Sequence, residues 1–122
     1  MRLSIWNITR DVELATNVQV ADDPWLRMRG LLGRRSLLPG DGLMLRPCRQ
    51  VHTLGMCFPI DVVYLGSATA EGTPVLHAVP ALCPWRLGPF LRRACAVLEL
   101  QAGAVECGNV RSGDLLGLID VL

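Results

Sequence analysis

Residues 59–66 read Pro59-Ile60-Asp61-Val62-Val63-Tyr64-Leu65-Gly66, and the way this stretch is buried decides the fold. A strand with one face in water alternates apolar and polar side chains, but here Asp61 alone interrupts a run of Ile, Val, Val, Tyr and Leu. So short a β-branched run reads as a central strand. Working outward, GLMLRPC (42–48) reads as a buried strand entering a loop, and PVLHAVPAL (74–82), AVLELQAG (96–103) and DLLGLIDVL (114–122) as further strands. RLSIWNIT (2–9) is rich in apolar and β-branched residues, and Val12, Leu14, Val18 and Val20 share one parity, so two more strands turn near Arg10-Asp11. Turn residues separate these runs at Pro39-Gly40-Asp41-Gly42, at Glu71-Gly72-Thr73-Pro74 and in CGNVRSGD (107–114), while CPWRLGPFLRRAC (83–95) reads as an irregular excursion. One segment changes period. In ADDPWLRMRGLLGR, Asp22 or Asp23 can cap a helix, Pro24 suits its first turn, and Trp25, Met28, Leu31 and Leu32 recur three or four apart up to Gly33. Six to eight strands with one short helix predict a mainly β fold, an antiparallel barrel or rolled sheet with the helix covering one end.

The 122 residues suit a single domain over 1–122, and a 51% apolar content excludes intrinsic disorder. A formal charge of +1 gives no global field toward nucleic acid or an anionic membrane, so neither is expected as a partner. Every one of the twelve basic residues is Arg, which removes Schiff-base lysine chemistry and the phosphate-loop lysine. The first twenty residues lack a continuous apolar stretch of the export-signal type, and nowhere do eighteen apolar residues run together. Together with five cysteines, an odd number without a Cys-x-x-Cys pair, this predicts a cytoplasmic protein with reduced thiols.

Chemistry-bearing residues gather in RPCRQVHTLGMCFPID (46–61). Cys48, His52 and Met56 are side chains that suit a soft metal. A blue-copper site would need a second histidine upstream, and His77 lies downstream, so no metal or cofactor is assigned. A thiol four residues from an imidazole also permits a Cys48–His52 nucleophile pair, with Asp61 orienting the ring, although no glycine-rich nucleophile turn surrounds Cys48. Asp61 itself is flanked by residues that favour burial, and a buried charge needs a partner. Arg27 or Arg29 could hold it through paired hydrogen bonds, a structural ion pair joining helix to sheet. Trp85, Arg86, Phe90, Arg92 and Arg93 form a short basic and aromatic cluster that reads as a solvated loop.

WLRMRGLLGR, GDGLML, PCRQVHTLGMCFPIDVVYL, VLELQAG and SGDLLGL, in this order, resemble the domain-of-unknown-function family 192 from about Val18 to Leu118. The resemblance implies a compact β-rich prokaryotic domain with a short helix and no established activity. It carries the family pattern onto Arg29, Gly30, Leu31, Pro47, Cys48, His52, Thr53, Met56, Phe58, Pro59, Ile60 and Asp61, then Gly103, Gly113 and Asp114.

Three functions follow as expectations. The leading one is a small-molecule or ion-binding barrel module whose pocket, at one mouth of the barrel, is lined by Cys48, His52, Met56 and Asp61. The others are a structural or protein-interaction module without a ligand, and a Cys/His-dependent hydrolase or transferase. Catalytic residues, ligand identity and any protein partner stay open.

Overall fold

The structure, a computed structural model, describes residues 1–121; the final residue of the expected strand 114–122 lies outside them. Seven strands are present: β1 (Arg2–Asn7), β2 (Val12–Ala21), β3 (Asp41–Leu45), β4 (Ile60–Leu65), β5 (Thr73–Leu82), β6 (Ala96–Gln101) and β7 (Leu115–Val121). They close into a barrel in the order β1, β2, β3, β6, β4, β5, β7, with β7 returning to pair with β1. All pairs are antiparallel except β2 with β3, which run parallel from Asn17 opposite Asp41 to Ala21 opposite Leu45. That exception follows from the long excursion between them, which carries the chain back before it re-enters the sheet. Gly42 sits where β3 passes closest to its neighbours: a Cβ there would meet the Glu99 carbonyl and Leu100 Cδ2 at 2.9 Å each.

The decisive stretch is buried on both sides. Along β4 every residue is buried, but alternate side chains serve different cores. Val63 and Leu65 join Ile5, Val18, Met44, Leu98, Leu100 and Leu116 inside the barrel. Ile60, Val62 and Tyr64 join Leu43, Leu45 and Val97 on the outer wall, beneath Leu31, Leu37, Val51, Met56 and Ala94. The segments that roof this outer core have little regular structure, yet burying each such aliphatic side chain contributes roughly 1.5–3 kcal/mol. Backbone bonds then tie the two roof segments, 46–59 and 83–95, to each other. Thr53 donates to the Arg86 carbonyl (2.8 Å), Trp85 to Thr53 (2.9 Å), Gly88 to Val51 (2.9 Å) and Leu91 to Arg49 (2.9 Å). The Tyr64 hydroxyl reaches out from β4 to the Pro89 carbonyl at 2.6 Å.

Helix α1 (Pro24–Arg29) begins as the sequence predicts, with the Asp23 carboxylate accepting from the Leu26 amide at 2.8 Å and Pro24 in the first turn. It stops earlier than its periodicity suggests, because Gly30 turns the backbone to φ 50°. Its apolar side chains divide accordingly: Trp25 and Met28 stay exposed, whereas Leu31, just past the end, enters the outer core. A second helix, α2 (Ala104–Cys107), is not evident from sequence periodicity, since one turn is too short to show any. α2 touches β2, β4, β5 and β6 and buries Val105 in the inner core, so it covers one end of the barrel.

Candidate functional site

Strand parity separates the predicted site residues. Asp61 shares the inward face with Val63 and Leu65, and its fully buried carboxylate lies at the α2 end of the barrel. There it accepts from the backbone amides of Ala81 (2.7 Å), Gly103 (3.0 Å) and Val105 (2.8 Å). A helix start leaves amides without partners, and a carboxylate among several N–H donors is well compensated. Gly103, with φ 100°, supplies the left-handed bend that presents two of these amides. The expected ion pair is therefore corrected: neither Arg27 nor Arg29 reaches Asp61. Arg27 instead donates to the carbonyls of Asp22 (3.2 Å) and Arg46 (3.3 Å), fastening α1 to the end of β3. Asp61 is likewise corrected as a pocket residue, and as an orienter of His52, because it faces the opposite side of the wall.

Cys48, His52 and Met56 do line one cavity, of about 280 Å³, together with Arg27, Met28, Arg29, Gly30, Leu31, Leu32, Leu45, Pro47, Gln50, Val51 and Glu99. It lies on the outer wall between the end of α1 and the segment 47–56, not at a mouth of the barrel. The reason is the second core: the mouth beside α2 is filled, while the roof over β3 and β6 does not pack tightly everywhere.

Glu99 is the residue that the sequence reading passes over. It stands on β6 between Leu43 of β3 and Val62 of β4, 3% exposed. Among the described residues nothing donates a hydrogen bond to its carboxyl group, and no buried side-chain oxygen is sealed off without a partner. Its oxygens therefore open on the cavity. Burial pushes the carboxyl up to about 8, so at neutral pH it carries a proton and can donate one hydrogen bond. The signal was available in LEL, a charge between two leucines of a strand, by the same reasoning that singles out Asp61.

The thiol and the imidazole are each engaged locally. Cys48 Sγ donates to the Gln50 carbonyl at 3.1 Å, and His52 Nδ1 accepts from the Leu54 amide at 3.1 Å. No hydrogen bond joins Cys48 to His52 among the described residues. Burial raises the Cys48 thiol above its ordinary value, and the Glu99 charge adds to this, against lowering by the Gln50 hydrogen bond and the Arg27 guanidinium. The expected Cys48–His52 nucleophile pair is thus corrected: the two side chains are engaged separately, and burial disfavours the Cys48 thiolate. Among the described residues no three of His, Cys, Asp and Glu form a group able to hold a metal ion.

The family model for the uncharacterised domain-of-unknown-function family 192 matches residues 6–118. The chain belongs to this family. The match takes in α1, the cavity-lining segment 47–56 and Glu99, so the whole outer wall belongs to the family-192 region. Comparison with curated proteins gives no match. Among solved structures, a candidate transcription regulator from Sinorhizobium meliloti 1021 is 25% identical, covers 96% of this chain and 92% of its own, and superposes with a TM-score of 0.78. A protein of unknown function from Novosphingobium aromaticivorans DSM 12444, 16% identical, covers 96% of this chain and 84% of its own with a TM-score of 0.77, a likeness of fold. Among the described residues, no helix is long and apolar enough to cross a membrane.

Proposed function

We propose that this family-192 chain is a small-molecule-binding module whose site is the cavity on the outer wall of the barrel. One observation carries the reading: Glu99, almost wholly buried, has no hydrogen-bond partner among the described residues and lines the cavity. A carboxyl group is costly to bury without a partner, and sites that tolerate such a cost are where ligands supply the missing contact. Cys48, His52 and Met56 line the same space, as polar or polarisable groups beside the aliphatic surface of Leu31, Leu45 and Val51. The cytoplasm, with its reduced thiols, is the compartment that goes with this reading, as does the absence of nucleic acid and membrane from its partners, given the formal charge of +1.

The test is a fragment screen read by amide NMR on the full chain. Binders should move the resonances of Cys48, Val51 and Glu99, and the shifts should vanish in a Glu99→Leu variant that remains folded. A screen that moves none of these residues overturns the reading. In that case the interaction-module alternative gains, for which the exposed Leu54, Trp85, Leu87 and Phe90 on the roof segments speak.

A further inference from the structure

The cavity reading leaves open what chemistry the ligand has, and the lining is uneven enough in charge to decide it. Two arginines, Arg27 and the exposed Arg29, belong to the lining on the α1 side. Glu99 is the only carboxyl group in the lining, and His52 contributes an imidazole whose Nδ1 is already engaged. We propose, resting on the cavity reading, that the site takes a small organic carboxylate, held by Arg27 and Arg29 and by the Glu99 carboxyl as hydrogen-bond donor, with its apolar body against Leu31, Leu45 and Val51.

The pieces fit for separate reasons. The Arg29 side chain makes no hydrogen bond among the described residues, and the described side-chain bonds of Arg27 both use one terminal nitrogen, which leaves donors on each for a bidentate contact with a planar anion. A protonated Glu99 is a donor without a partner, and an anionic oxygen is the strongest acceptor it could meet. An ammonium ligand would gain from an ionised Glu99 but would stand beside two arginines. Inorganic phosphate would satisfy the arginines and leave the aliphatic lining without a counterpart.

The groups facing Glu99 make the binding sensitive to pH in a defined direction. Tyr64 on β4 and Cys48 in the segment 47–56 both feel its charge, His52 of the same segment lines the cavity beside them, β3 offers only Leu43 and Leu45, and the α1 end brings Arg27 and Arg29. The tyrosine and the thiol are neutral near pH 7, so Glu99 is the carboxyl group whose charge changes as the solution becomes alkaline. Once ionised, it repels the carboxylate that it held when protonated.

The experiment is an NMR titration of the full chain with isovalerate, isovaleramide, isopentylamine and inorganic phosphate. At about pH 7, isovalerate should move the amides of Gly30, Cys48, Val51 and Glu99 and bind at least about tenfold tighter than the other three. Its affinity should fall by about tenfold or more near pH 9, a loss that Glu99→Gln should abolish because the amide remains a donor at any pH. Arg29→Ala should weaken isovalerate by about tenfold and leave isovaleramide unchanged. Tighter binding of the amine or the amide, or equal binding of phosphate, overturns the carboxylate assignment while the cavity reading stands. If none of the four moves these resonances, the carboxylate assignment falls, and the cavity reading falls with it when the fragment screen is silent as well.

Discussion

Asp61 and Glu99 stand on adjacent strands, one rung apart, and point to opposite faces of the same wall. Asp61 pairs across the ladder with Leu100, and Glu99 with Val62. Each is a carboxyl group buried in an apolar strand, but Asp61 receives three backbone amides while Glu99 receives nothing from the described residues. The first is therefore architectural, and the second is free to meet something else.

Asp61→Ala should lower stability by about 3 kcal/mol or more, since it strands three amides at the covered end of the barrel. Asp61→Asn should recover part of this through its carbonyl oxygen. Chemical denaturation gives the midpoints, and an Asp61→Ala midpoint equal to that of the parent would contradict the role assigned here.

Glu99 titrates higher folded than unfolded, so its stabilising proton linkage is complete below about pH 4.5 and is lost as pH rises toward about 8. Stability should decline across that window by up to about 5 kcal/mol, and level off above it. In Glu99→Gln the decline should disappear. A parallel pH profile for parent and variant would show that Glu99 titrates as an ordinary surface carboxylate.

Among five free cysteines, Cys48 is half-buried and the other four are exposed. With its thiol pushed up by burial, Cys48 should be alkylated by iodoacetamide more slowly near neutral pH than Cys57, Cys83, Cys95 and Cys107. His52→Ala should not change its rate. Mass spectrometry of the alkylated peptides decides this, and a Cys48 that reacts first and depends on His52 would restore the nucleophile pair.

Tyr64→Phe should cost about 1 kcal/mol by removing the hydroxyl that holds the Pro89 carbonyl. Burial pushes that hydroxyl up to about 12, so it stays a donor throughout the range where the protein is handled. Gly88→Ala should cost more, since a Cβ there would lie 2.9 Å from the same hydroxyl and 3.1 Å from the Val51 carbonyl. Thermal unfolding of the two variants should rank them in this order.

The strands and the barrel were legible because hydrophobic period and turn chemistry agree over most of the chain, and the apolar run Val62-Val63-Tyr64 announced a strand without a wet face. Its second covering could not be located, because irregular segments such as 83–95 carry no periodic signal of what they pack against. For that reason the cavity was placed at a barrel mouth rather than under the roof. Cys48, His52 and Met56 lie close in sequence and share one cavity in space, as the segment 47–56 is compact. Asp61 leaves the cavity because strand parity decides its face: Ile60 follows the segment onto the outer wall, and its neighbour must face inward. Arg27 and Arg29 look like its partners because backbone amides leave no mark in a sequence, and two of these amides come from the four-residue α2 and its N-cap Gly103.

The double duty of β3, β6 and β4 divides the molecule into two units of cooperativity. The barrel closes through strand ladders that the roof segments take no part in, so the roof can detach without opening a single rung between β1 and β7. Opening that exposes only the outer core costs less than global unfolding, and amide hydrogens at Thr53 and Gly88 should exchange before those of β4 and β6. A ligand bound beneath the roof would slow that exchange selectively, which makes the protein its own reporter of occupancy.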